Sequence, residues 1–180
     1  MLKKLILLLI ISFVCSDCFA ATNDWITGGV DTNWSTAGNW SLGHKPSAGE
    51  DVTMGGASDQ NCIVNEATAA LNSFDQTGYT GVMSGSANIT VTVASGTSAC
   101  KIANGASHSW TGVLLLNPAA GTTINLTMGG ITTCVGITVA GTTTGVVELQ
   151  DELDMDTATV ERVTVTSGTF DSNGNTMTIG

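Results

Sequence analysis

The feature that most constrains this chain is a short run, repeated many times, in which aliphatic residues alternate with threonine or asparagine. It occurs as ITVTV at 89–93, INLTM at 124–128, ITV at 137–139, VTVT at 163–166 and TMTI at 176–179. Successive side chains of a strand point to opposite faces, so each run buries its aliphatics and wets its polar residues. Val, Ile and Thr are branched at Cβ, which favours the extended backbone and suits a pleated surface. Helix signals are nearly absent from the body of the chain. It is predicted to be all-β.

The choice among all-β architectures turns on spacing and corners. These runs, with others centred near Ile63, Val82, Ile102 and Leu114, lie about 9–12 residues apart, an interval that serves a sandwich as well as a coil stack. The strands are short, and Gly-Thr or Ser-Gly corners bound many of them, as at Ser95-Gly96-Thr97, Gly121-Thr122-Thr123, Gly141-Thr142-Thr143 and Ser167-Gly168-Thr169. Hairpin dipeptides are scarce, Asn173-Gly174 being the best. Inward Val and Ile with outward Thr recur from run to run, as stacked coils require. A right-handed parallel β-helix, or solenoid, is therefore expected over residues 57–180, with a β-sandwich or jelly roll as the alternative. No strict period survives, although Thr53-Met54-Gly55-Gly56 and Thr127-Met128-Gly129-Gly130 echo one another.

The N-terminus is of another kind. Lys3 and Lys4 precede an apolar run at 5–15, and Ser16-Asp17-Cys18-Phe19-Ala20 follows. That order is a secretory signal peptide over residues 1–20, with cleavage expected after Ala20. The apolar run is too short for a spanning helix, which takes about 20 residues. Neither Cys15 nor Cys18 has the Leu and small residues that precede a lipidated cysteine. Export to the cell surface or the medium is the expected destination, with no membrane span after cleavage.

Removing residues 1–20 takes away two lysines and Asp17, and moves the net charge from −10 to −11. Only Lys45, Lys101 and Arg162 then remain to meet phosphates. Nucleic-acid affinity rests largely on such contacts, so a nucleic-acid partner is excluded. The remaining cysteines, Cys62, Cys100 and Cys134, are odd in number and lack a ligand spacing for zinc. They read as buried apolar residues, and their disulfide status stays open.

Trp25, Trp34 and Trp40 crowd into one short stretch, and only Trp110 follows. An open solenoid end needs a cover, so residues 21–56 read as an aromatic-rich N-terminal cap. The rival reading makes these three rings a glycan contact, since sugars stack on exposed indole faces.

Two stretches carry a resemblance. Asn33-Trp34, Asn39-Trp40-Ser41, Pro46 and Gly49-Glu50-Asp51-Val52 resemble the NW-x-NWS-x-P-x-GD-V segment that leads into the coils of bacterial surface and autotransporter-type β-solenoid proteins. Residues 167–179 (SGTFDSNGNTMTI) are similar to the autotransporter-associated repeat. Together they cover roughly 45 residues. The resemblance implies a solenoid fold and a surface location, and it brings no catalytic residues to this chain. No translocator barrel or sorting tail follows, and the chain stops at Gly180 directly after a strand-like run, which fits a fragment of a longer protein.

Chemistry is sparse. His44 and His108 read as surface-loop histidines, and no G-x-S-x-G elbow occurs. The acidic stretch at 149–156 places Leu153 and Met155 on one face of a strand and Glu152, Asp154 and Asp156 on the other. That stripe reads first as a solvated face, then as a Ca²⁺ site on oxygen ligands, and last as a glycosidase carboxylate pair. Asp31-Thr32-Asn33-Trp34-Ser35 offers a weaker set of alternating oxygens. The expected function is a secreted or cell-surface structural protein, a stalk or adhesin-like passenger without catalytic activity. Its Thr-covered surface would meet glycans, other cells or its own copies. The alternatives are a carbohydrate-active β-helix enzyme and a carbohydrate-binding module.

Overall fold

The computed structural model describes residues 20–55, 59–102, 107–129, 136–155 and 162–179. Residues 1–19, which fall within the expected signal peptide, lie outside them, as do Cys134 and Asp156.

The chain winds as a three-sided coil. Strand β1 (Thr22–Asp24) precedes a long excursion with a 3₁₀ turn at Ala37–Asn39. The first coil is β2 (Asp51–Thr53), β3 (Cys62–Val64) and β4 (Ala70–Leu71). The second is β5 (Ser73–Asp75), β6 (Val82–Gly85) and β7 (Ile89–Val93), and the third β8 (Thr97–Lys101), β9 (Ser107–Trp110) and β10 (Leu114–Pro118). The fourth holds β11 (Thr123–Thr127) and β12 (Ile137–Ala140); the fifth holds β13 (Val146–Leu149), β14 (Leu153–Met155) and β15 (Val163–Ser167). Strands β16 (Thr169–Asp171) and β17 (Met177–Ile179) lie beyond them.

Like strands stack on like. Sheet one runs β1-β2-β5-β8-β11-β13-β16, and sheet three runs β4-β7-β10-β12-β15. The second side carries β3-β6-β9 and, further along, β14-β17. Every strand pairing is parallel. A sandwich or jelly roll would be antiparallel. The fold is a parallel β-solenoid of about five turns.

The alternation seen in the sequence becomes vertical columns. Val52, Phe74, Cys100, Leu126 and Leu149 stand in register on the inner face of sheet one. Leu71, Val91, Leu116 and Val139 do the same on sheet three. All nine are fully buried, and each such side chain contributes about 1.5–3 kcal/mol by leaving water. Stacked residues are 20 to 29 positions apart in sequence: Leu71 and Val91 differ by 20, Val139 and Val165 by 26, and Asn23 and Val52 by 29. Corners of different length absorb the difference, which is why no strict period shows. The paired echo is a true equivalence: Thr53 and Thr127 share one outward column through Asp75 and Lys101.

The expected Ser-Gly and Gly-Thr corners are corners. Gly96, Gly121 and Gly168 each turn the chain toward sheet one at φ values of 72°, 70° and 88°, a region that only glycine enters cheaply. Asn173-Gly174 turns left-handed too, but it makes no hairpin, because β16 pairs with β13 and β17 with β14. Corner side chains also tie coil to coil. Asn61 Oδ1 accepts from Val82 N at 2.9 Å, Asn88 Oδ1 accepts from Val113 N at 2.9 Å, and the Asp151 carboxylate accepts from Met128 N and Gly129 N at 2.7 Å each.

Candidate functional site

The N-terminal excursion closes one end of the stack on all three sides. On sheet one, β1 pairs with β2, and its outer edge is closed by a Trp25–Trp40 antiparallel bridge and by Ser41 N donating to Asp24 O at 2.9 Å. On the second side, Asn33 bridges Ile63, with Trp34 N donating to Ile63 O at 2.9 Å and Ile63 N to Thr32 O at 2.7 Å. On the third, Gly49 N donates to Ala70 O and Asn72 N to Glu50 O, at 2.9 and 2.8 Å. The excursion is thus a coil in outline, swollen by loops.

Its interior is aromatic. Trp25, Trp34 and Trp40 are buried to 2%, 1% and 2% exposure. The Trp25–Trp40 and Trp34–Trp40 ring centroids lie 5.0 and 4.6 Å apart, edge to face. Trp40 Nε1 donates to Trp34 O at 2.8 Å and Trp25 Nε1 to Gln60 O at 3.1 Å. The glycan contact expected of these rings is corrected: no indole face is open to a sugar, because the edge-to-face cluster uses all three as the floor of the cap.

Two carboxylates organise the cap. Asp31 Oδ1 accepts from Asn33 N at 2.7 Å and Asn39 Nδ2 at 2.8 Å, and its Oδ2 accepts from Asn33 Nδ2 at 3.1 Å and Thr36 Oγ1 at 2.9 Å. The Asn33 amide N–H above all, with the Asn39, Thr36 and Asn33 side chains, holds its pKa below the usual carboxylate range against a smaller burial cost. These oxygens are filled from their own loop, so the alternating set at 31–35 is a structural knot and offers no cation cage. Glu50 is 8% exposed, and its Oε2 accepts from Ser47 N at 2.9 Å and Asn23 Nδ2 at 3.2 Å. Burial raises its pKa, but Ser47, Asn23 and the nearby His44 ring together outweigh that and leave it lowered. His44 is in an exposed loop, with Nε2 3.5 Å from Glu50 Oε1.

Of the predicted acidic stripe, Glu152 and Asp154 are among the described residues. Leu153 and Met155 face the core at 0% exposure, as expected, with Glu152 exposed and Asp154 half-buried on the other side of the wall. Asp151, from the same acidic stretch, is committed to the backbone of the preceding coil. Among the described residues no three His, Cys, Asp or Glu side chains group as a metal-binding set. His108 is corrected from loop to strand. It lies on β9 in register with Met83 and Cys62, both fully buried, and so belongs to an inward column. Burial lowers its pKa. It therefore stands on the opposite side of the wall from the acidic stripe. Cys62 and Cys100 are buried on different sides of the coil, and burial pushes the Cys62 thiol up, away from reactivity.

What distinguishes the outside is a partition of charge. The outward positions of sheet one carry Asp24, Asp51, Asp75, Glu148 and Asp171, with Lys101. Neighbouring coils share these groups. Lys101 Nζ meets Asp75 Oδ2 at 2.9 Å, Asn72 Nδ2 meets Asp51 Oδ1 at 2.8 Å, and Asn173 Nδ2 meets Glu148 Oε1 at 3.0 Å. The strands of sheet three carry no ionisable residue. Its outward positions are Thr90, Thr92, Leu115, Asn117, Thr138 and Thr164, all half-exposed, with Ala70 at one end. No protein-family model matches the chain, and no curated protein or solved structure matches it.

Proposed function

We propose that this protein is exported to the cell surface or the medium and acts there as a non-catalytic, adhesin-like scaffold of the bacterial surface-solenoid kind. One observation carries the reading: a chain of net charge −10 keeps every strand of sheet three free of charge, with Arg162 standing just before β15. Cell envelopes and many surface glycans are acidic, and they repel an acidic protein except where its surface is neutral. Sheet three supplies such a surface, rich in hydroxyls and backed by a buried aliphatic column. The basic, apolar and small-residue order at 1–20 supports export.

The test has two arms. Expressed whole, the chain is expected outside the cytoplasm with Ala21 as its first residue; deletion of 1–20 is expected to retain it. Binding of the exported protein to glycan-coated beads is expected to fall when Thr90→Glu and Thr138→Glu place charge on sheet three. The same number of acids added on sheet one, as Thr123→Glu and Thr127→Glu, is expected to leave it. Equal loss from both pairs would refute a contact role for sheet three.

A further inference from the structure

We infer that the inner corner between sheet one and the second side of the coil, lined by Met54, Cys62 and Met83, binds one soft monovalent cation, Cu⁺. Met54 and Gln76 each follow directly on a strand of sheet one, β2 and β5, and Cys62 and Met83 are the first inward residues of β3 and β6. All four are fully buried. The first coil thus brings Met54 and Cys62 to the two sides of one bend, and the second coil stacks Gln76 and Met83 on them. Met54 N donates to Asp75 O at 2.8 Å, and Cys62 is in register with Met83. The convergence shows at Gln76, whose Nε2 stands 2.9 Å from Met83 Sδ and 3.7 Å from Met54 Sδ. One amide group therefore meets two thioethers from successive coils. Packing alone explains methionine and cysteine in a core. It does not explain a buried glutamine, which costs free energy unless bonded, nor a bond spent on so weak an acceptor as sulfur. A partial positive charge already lies where the two sulfurs meet, and a soft cation needs the same place.

The donor set selects the ion. Thioether and thiolate sulfur suit Cu⁺, whereas Ca²⁺, Mg²⁺ and Mn²⁺ take oxygen. Burial keeps the free Cys62 thiol protonated. On binding, its S–H bond breaks, the proton leaves to solvent and an S–Cu bond forms, with no change of oxidation state. Thiolate and monovalent cation make a neutral pair, which an apolar interior accepts; a divalent ion would leave a net buried charge. Spacing agrees. In-register residues on neighbouring strands are about 4.8 Å apart, close to twice a metal–sulfur bond of about 2.3 Å. Cys62 Sγ and Met83 Sδ therefore hold one ion between them, with Met54 Sδ alongside. His108 follows Met83 in the same column and is half-buried, so the column reaches solvent one coil further on and gives the ion an entry.

The experiment is anaerobic competition for Cu⁺, in ascorbate, between the full chain and a coloured Cu⁺ chelator. Other cysteines of the chain also take Cu⁺, so the first equivalent is followed and variants are compared, each with far-ultraviolet circular dichroism matching the parent. Cys62→Ala is expected to weaken binding of that first ion at least about a hundredfold, and Met83→Leu at least about tenfold. Cys100→Ala, on the inner face of sheet one, is expected to leave it unchanged. Met83→Leu nearly conserves volume and is expected to fold, so it decides if Cys62→Ala does not. X-ray absorption of the one-equivalent complex is expected to show a first shell of sulfur. A chain that takes no Cu⁺ from the chelator would overturn the inference. So would equal affinity in Met83→Leu and the parent, loss of the first ion in folded Cys100→Ala, or a first shell of oxygen and nitrogen alone.

Discussion

Asn39→Asp changes two donors into acceptors at the centre of the cap and alters almost nothing else. Asn39 is fully buried. Its Nδ2 donates to Asp31 Oδ1 and to Asn33 O, both at 2.8 Å, and its Oδ1 accepts from Asp31 N at 3.1 Å. The substitution keeps the size and the accepting oxygen. It removes two hydrogen bonds worth about 1 kcal/mol each net, with no premium taken for the solvent-reached Asp31 carboxylate. It also sets a second carboxylate against Asp31 and leaves the Asn33 carbonyl facing a lone pair, so a total near 3 kcal/mol is expected at neutral pH. That is a large share of the roughly 5–15 kcal/mol by which domains are stable. The pH dependence gives a second handle. Burial beside Asp31 raises the new carboxyl's folded-state pKa above its unfolded value of about 3.9. Such a group binds its proton more tightly when folded, so the deficit is full at neutral pH and shrinks as pH falls through the raised folded-state value toward about 4. Urea unfolding followed by tryptophan emission reads it, since three of the four tryptophans are in the cap. A deficit below about 1 kcal/mol at pH 7, or one unchanged by pH relative to the parent, would refute the assignment of Asn39 as the hub.

The remaining predictions concern the coils. His108 has its pKa lowered by burial, so the unfolded chain binds a proton more readily below its value of about 6.5, and stability falls as pH drops through that point. His108→Met, matching Met83 in the same column, is expected to flatten the dependence between pH 7.5 and 5 in thermal melts; an unaltered slope would place its origin elsewhere. Gly85 turns at φ 104°, and a Cβ there would lie 2.4 Å from Val64 O in the preceding coil. Gly85→Ala is therefore expected to cost at least about 2 kcal/mol in denaturant unfolding, and a neutral effect would contradict the close coil contact. Alkylation with iodoacetamide, read peptide by peptide, is expected to spare Cys62 and Cys100 in the native protein and to modify both in urea; rapid native labelling of either would show that its column opens.

Much of this fold is visible in the sequence because the core alternates strictly. Inward Val91 and Val139 and outward Thr90 and Thr138 follow from period two alone, as do inward Leu153 and Met155. His108 was also within reach. Ser107-His108-Ser109-Trp110 alternates small with large, and strand register puts both large residues on the same side. The single polar, titratable side chain in that pattern masks an otherwise regular strand. The three-sided coil was harder to see, since corners vary in length and neighbouring strands meet residues 20 to 29 positions away. The cap hubs were hardest. Asp31, Asn39 and Glu50 look like surface polar residues one at a time. The burial of Asn39 and Glu50 depends on loops meeting one another across the end of the stack, which no local pattern records. The Asn-Trp pairs marked the region, and the structure gives their physical meaning: each tryptophan fills the floor while Asn39 knits the loop above it.

Stacking has a consequence for reach. Each coil advances the axis by one strand spacing, about 4.8 Å, and consumes some two dozen residues. Five turns therefore span only about 24 Å, less than a fully extended segment of ten residues covers. Such a body is a poor tether. Its yield is breadth: three walls whose chemistry is set one coil at a time, so that a single added turn widens every wall by the same step and leaves the rest in register.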